Sequence, residues 1–228
     1  MPEDARRVFF LFGHIGNEIN TLSRLLILSV EKQSDPILRV YSEARAATIA
    51  RLLVGTTREG FLAVERRILG SLFNVTYIPY LEPEGQKALI KVKGHLGKMK
   101  LMADIRNGFS FHNPHDDQID NAYRSLPRDE ELSFYSGLPR RSSLYAMSNS
   151  LITQAMLDLV DDPDSEKSMQ AIIDDVLDKA AAINDFIEQL LITIIDREAL
   201  SPGDEKEVLT VDTHESTMTF KIPPLLQT

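Results

Sequence analysis

Apolar side chains recur at Val8, Phe12, Ile15, Ile19, Leu22 and Leu26, with gaps of 4, 3, 4, 3 and 4. That spacing keeps one stripe on one side of a helix of about six turns. Ser34-Asp35-Pro36 then breaks the pattern and supplies a capping side chain and a proline where a new helix can begin. The next segment predicts a second helix over 37–72, rich in small residues at Ala44, Ala46, Ala47, Ala50, Gly55, Gly60 and Ala63. Small side chains let a neighbouring backbone approach closely, and the two glycines weaken the helix enough to permit a bend.

Pro79, Pro83 and Gly85 mark a loop, and a third helix is expected over 84–105. From Asn113 to Ser143 the chain turns polar, with Pro114, Pro127, Gly137 and Pro139, and predicts a long excursion holding one short helix near Asp117–Arg124. Long loops of this kind often carry function. Helical signal resumes near Ser143, with Tyr145, Ile152, Met156 and Leu159. The last helix has the cleanest seam: Met169, Ile173, Val176, Ala180, Ile183, Ile187, Leu190 and Ile194, with Asp164 or Ser165 as its cap and Ser201-Pro202-Gly203 as its end. Such a seam suits a coiled coil, but beside three other long helices it reads as the inner face of a bundle. The tail alternates at Met218, Phe220 and Ile222, a pattern that suits a short β-hairpin. The expected fold is therefore all-α: an up-down helical bundle over 1–202 with a long loop excursion, followed by a tail over 203–228.

Composition narrows the chemistry. The 228 residues include no cysteine, which excludes disulfides, a thiol nucleophile, an iron–sulfur cluster and any cysteine-based zinc site. The apolar run Val8–Phe12 is too short for the core of a signal peptide, and no stretch approaches the roughly 20 apolar residues that span a bilayer. A soluble, cytoplasmic protein without a membrane partner is expected. The net charge of −9 argues mildly against phosphate contacts, but it is unevenly spread. Residues 161–200 hold eleven acidic and three basic side chains, whereas 86–106 hold Lys87, Lys91, Lys93, Lys98, Lys100 and Arg106 against Asp104 alone. The acidity is that of one solvated helix face, and a basic segment leads into the middle of the chain.

That basic segment ends in Ile105-Arg106-Asn107-Gly108-Phe109-Ser110-Phe111-His112-Asn113-Pro114. Six residues of straight helix turn through about 600°, so Arg106 and His112 would not share a face if the helix ran on. Pro114 biases Asn113 away from helical geometry and Gly108 loosens the turn, which puts His112 near a helix end. Without a metal, arginine and histidine suit RNA cleavage. Histidine titrates near neutrality and can take or give a proton, while arginine presents a charged fork to phosphate oxygens. Asn107 can steady a hydroxyl or phosphate oxygen. One such pair is thin for the task, and a two-fold dimer would bring two pairs together.

Arg106-Asn107 followed by His112 resembles the arginine–histidine motif of the HEPN superfamily, in which a polar residue usually follows the arginine. Phe12-Gly13-His14-Ile15-Gly16-Asn17-Glu18 and Arg51-Leu52-Leu53-Val54-Gly55…Glu59-Gly60 are similar to the abortive-infection, AbiU-type branch, over about residues 5–200. The resemblance implies a four-helix core and a homodimer with facing motifs. It also implies metal-independent RNA cleavage, without a cofactor, that leaves 2′,3′-cyclic phosphate and 5′-hydroxyl ends. It further implies a role in phage defence or a toxin–antitoxin pair, with a separate antitoxin or nucleotidyltransferase as partner. Some members only bind nucleotides or proteins, so a non-catalytic helical binding module is the alternative.

On this reading His112 is the general acid/base, Arg106 binds the scissile phosphate and Asn107 supports them. Lys98 and Lys100 would follow an RNA backbone, and Phe109 and Phe111 would stack bases. The plainer alternatives are an arginine capping carbonyls, a histidine satisfied in a loop, aromatic rings in the core and a solvated lysine face. His14 and Glu18 lie one turn apart, either lining the groove or pairing with each other, and Glu59 is a supporting candidate. His112, His115, Asp116, Asp117 and Asp120 have the residue types of a metal site, but their number is ordinary for an acidic loop and no metal is expected.

Overall fold

A computed structural model describes residues 1–29, 33–126, 133–136, 143–160, 162 and 164–198. The described residues are all-α, with eight α-helices and no strand. They are α1 (Glu3–Ser29), α2 (Pro36–Ala63), α3 (Phe73–Thr76), α4 (Pro83–Leu96), α5 (Lys100–Ile105), α6 (Asp116–Ser125), α7 (Ala146–Leu157) and α8 (Ser165–Arg197). No described helix is long and apolar enough to cross a membrane. The tail over 203–228, where a hairpin was expected, lies outside the described residues.

Local chemistry sets several helix starts. The Asp35 carboxylate accepts the Leu38 N–H at 2.9 Å, with Pro36 as the first residue of α2. Asp164 accepts the N–H groups of Glu166 and Lys167 at the start of α8, and these bonds hold its carboxyl below the usual carboxylate range. At α6 the His115 N–H donates to the Gln118 side chain at 2.9 Å, which closes the first turn.

Two helices depart from the sequence expectation. The second is α-helical only to Ala63, passes into a π-helical turn over Val64–Leu69, and stops at Gly70, whose N–H reaches the Glu65 carbonyl. The third is broken: α4 ends at Leu96 with Gly97 as its cap, and α5 restarts at Lys100. Gly94 and Gly97 dilute helix propensity there, so the lysine periodicity does not carry across the break. A Cβ at Gly94 would meet nothing within 4 Å. Gly94→Ala is therefore expected to stabilise the protein by about 0.5–1 kcal/mol, read as a higher urea midpoint at unchanged slope.

The contacts divide the chain into two compact units. The first comprises Met1–Thr21, Thr56–Met99 and α8 from Leu177 onward. Its core takes Val8, Phe12, Ile15 and Ile19 from α1 and Ile183, Ile187, Leu190 and Ile194 from α8, all at the expected stripe positions. Phe61, Val64, Ile68, Leu89 and Val92 complete it. Gly16 sits against Ile187, and a Cβ at Gly60 would lie 2.7 Å from the Ile183 tip and 3.1 Å from Ile15. The glycines thus act as points of close approach. Across this unit Lys91 pairs with Asp178 at 3.2 Å, and that bond holds the Asp178 carboxyl below its ordinary value. The end of α8 is held by rings: Arg197 lies over Tyr80 at 3.5 Å, and the Tyr77 hydroxyl donates to Glu198 at 2.6 Å. Burial first, then that hydrogen bond, pushes the Tyr77 phenol up to about 12.

The second unit comprises Leu22–Gly55 and the span from Lys100 to Val176. Leu26, Ala50, Leu53, Met102, Ile105, Phe109, Ala122, Met156, Ile172 and Val176 are buried in it. α6 packs on α7. Within the expected excursion, the described residues include α6, and Tyr135 forms an antiparallel bridge with Leu144 beside a Phe134–Tyr145 ring pair at 4.9 Å.

Candidate functional site

The decapeptide that the sequence singles out forms the end of α5 and a π-helical turn over Arg106–Ser110. A π turn closes i→i+5 hydrogen bonds and is rare, appearing mostly as a single turn and often at functional sites. Phe109 is buried on one side of it, while Asn107 on the other is exposed. Arg106 is half-buried, and its guanidinium donates to the Asn107 side-chain Oδ1 at 2.8 Å. His112 lies in the bend just after the turn and is exposed.

The turn is docked on α2 within the same unit. The Ser110 hydroxyl donates to the Arg51 carbonyl at 2.6 Å, inserting a side chain where α2 offers a backbone oxygen. Gly55, one turn further along α2, leaves room for this contact: an added Cβ would stand 2.8 Å from the Ser110 Cβ and 2.8 Å from the Phe111 ring. The Arg51 side chain donates to Thr48 at 3.2 Å, and burial pulls its guanidinium below the ordinary arginine value. On the far side, Gly108 lies under the Gln118 amide, whose oxygen holds the His115 N–H. Two contacts thus hold the turn, one to α2 and one to α6.

Arg106 and Asn107 are hydrogen-bonded, and His112 follows on the same docked segment. Phe111 is 48% exposed, with Cε2 and Cζ of its ring against Gly55. Phe109 is corrected: its ring is 6% exposed and belongs to the core, because the π turn directs it inward. Lys98 and Lys100 are both exposed, but Lys98 belongs to the first unit and Lys100 to the second. His14, Glu18 and Glu59 belong to the first unit, and His14 faces Glu18 at 3.5 Å.

Among the described residues no three His, Asp or Glu side chains gather as a set able to hold a metal ion. His115 instead occupies the cap position of α6, with Asp116 and Asp117 in its first turn, where carboxylates meet the positive end of the helix. Ser110, Gly55 and Arg51 are the site residues that sequence reasoning did not assign to the site. The small side chains of α2 signalled a close approach, but not which segment approaches. No family model, curated protein or solved structure matches the chain.

Proposed function

We propose that the protein is a metal-independent RNA endonuclease of the HEPN type, acting as a homodimer in phage defence or a toxin–antitoxin-like system. The observation that carries the reading is the Arg106–Asn107 hydrogen bond on a docked π turn, with His112 exposed two residues beyond it. Cleavage of this type forms a bond from the ribose 2′-oxygen to phosphorus and breaks the bond from phosphorus to the 5′-oxygen. A proton leaves the 2′-hydroxyl and a proton reaches the departing 5′-oxygen. His112 exchanges protons in this scheme, and the partner subunit's second copy of the motif supplies the other acid/base. Arg106 neutralises charge growing on the phosphoryl oxygens. Asn107 holds the guanidinium by accepting one N–H, so the fork is already aimed when RNA arrives.

A non-catalytic binding module would use the same arginine fork on phosphate but would have no use for His112 as an acid or base, so cleavage separates the two readings. The test is RNA cleavage in chelator by wild type and Arg106→Ala. Wild type is expected to leave 2′,3′-cyclic phosphate and 5′-hydroxyl ends, and the variant to lose about 100-fold in rate, the scale of one lost charge-stabilising donor. Loss of activity in chelator, or equal cleavage by Arg106→Ala, would overturn the reading.

A further inference from the structure

The second unit holds, beside the motif, an arginine whose charge the fold leaves unanswered. Arg51 stands on α2, half-buried, and its side chain donates to the Thr48 hydroxyl oxygen at 3.2 Å. Thr48 in turn donates to the Ala44 carbonyl at 2.9 Å, which leaves its oxygen as the acceptor. Arg51 makes no ion pair among the described residues. A guanidinium carries five N–H donors, and a neutral hydroxyl answers one of them. Burial pulls this cation below its ordinary value, and no described carboxylate raises it again. Half-burying a charge without a counter-charge destabilises the folded state, so the position suits a cation that meets an anion from outside.

Its place in the unit says which anion. Residues at i and i+4 share a face of a helix, so Arg51 lies on the face of α2 that carries Gly55. The motif docks on that face. Ser110 donates to the Arg51 carbonyl at 2.6 Å, and a Cβ at Gly55 would stand 2.8 Å from both Ser110 and the Phe111 ring. His112 is the next residue of the docked segment and is exposed, so a polyanion bound there passes beside Arg51. Burial is the sole influence on Arg51, which places the Arg106 cation beyond the about 4–6 Å at which like charges perturb each other. Two forks gripping one phosphate would be that close. We infer that Arg51 contacts the RNA strand at a phosphate adjacent to the one being cleaved, which makes a strand of at least two phosphodiesters the preferred substrate. The inference rests on the endonuclease reading for the identity of the polyanion, and it makes Arg51 a binding residue that does not touch the reacting atoms.

The experiment uses Arg51→Met, which keeps an apolar stem and removes the charge. On the full chain it measures urea unfolding, anisotropy of a labelled 2′-O-methyl RNA oligomer, and steady-state cleavage. The methylated strand lacks the hydroxyl that cleavage needs, so binding is read without turnover. Cleavage is compared between the same sequence as RNA and a dinucleoside monophosphate, which has no second phosphate. Arg51→Met is expected to weaken oligomer binding by about tenfold and to raise KM for the RNA oligomer to match, with kcat nearly unchanged. Its cleavage of the dinucleoside monophosphate should equal that of wild type. The urea midpoint should not fall, because an unpaired, half-buried cation has been removed, whereas an arginine with a structural role would lower it. Arg51→Lys should recover most of the binding, since a point charge still meets phosphate. Wild-type oligomer binding by Arg51→Met, or a lowered urea midpoint with no recovery of binding in Arg51→Lys, would overturn the contact and leave the cleavage reading standing. Arg51-dependent binding by a wild type that does not cleave would support the contact and remove the endonuclease. A wild type that neither binds nor cleaves would overturn both.

Discussion

His112→Ala is expected to lower the rate of RNA cleavage by about 10²–10⁴-fold, the range for losing a positioned general acid or base. The folded state should be nearly unaffected. His112 is exposed in the bend after the π turn, and surface substitutions of that kind change stability by no more than about 0.5 kcal/mol. The measurement is single-turnover cleavage of an end-labelled RNA pool, alongside thermal unfolding of the same preparations. Combining His112→Ala with Arg106→Ala should cost little more than either alone, because groups that act on one transition state are not additive. A His112→Ala protein that cleaves as fast as wild type would remove histidine from the chemistry. Wild-type protein that leaves diverse RNA intact would remove the endonuclease reading.

The second large effect is structural. Gly55→Leu should destabilise the second unit by about 3 kcal/mol or more, because the position has no room even for a methyl group. A Cβ there stands 2.8 Å from the Ser110 Cβ, an atom fixed to the backbone of the π turn, and 2.9 Å from a second carbon of the Phe111 ring. Gly55→Ala is the more informative variant. Alanine gains about 1 kcal/mol of helix propensity, against an overpacking cost of about 1–3 kcal/mol. A net loss of about 1 kcal/mol is expected, opposite in sign to Gly94→Ala. The same methyl group would push Ser110 off the Arg51 carbonyl and shift the Arg106–His112 segment. Cleavage should therefore fall more than stability does. Urea unfolding and cleavage rates measured together decide this, and a stabilised, fully active Gly55→Ala would refute the docking argument.

The two glycines show why part of the site was illegible in the sequence. Gly55 and Gly94 are both glycines in helices, and nothing in their neighbours along the chain separates them. One is pressed against a segment more than fifty residues away and the other faces open space. Arg106, Asn107 and His112 were legible because residue types with complementary chemistry lie within seven positions. Ser110 was not, since its role is to meet a carbonyl of another helix. Phe109 and Phe111 look alike in the sequence, and the π turn buries one and exposes the other. The break at Gly97 is hidden in the sequence because lysines on either side keep a helical polar pattern while the glycines lower the propensity beneath it.

What the sequence determined by itself was the set of long helices and their buried faces. The 3–4 spacing from Val8 to Leu26 and along Ile183–Ile194 dictates which side must leave water, because burial of apolar area dominates a helix's choice of orientation. The exclusion of thiol chemistry and the concentration of negative charge in α8 were equally local facts. Only the tertiary structure decided how the chain divides into units and where its helices turn π-helical. It also decided which distant residues meet: the Ser110 hydroxyl reaches the Arg51 carbonyl although 59 positions separate them. The physical reason is that periodicity reports a residue's own environment, whereas a site is a relation between distant residues, and packing alone sets that relation.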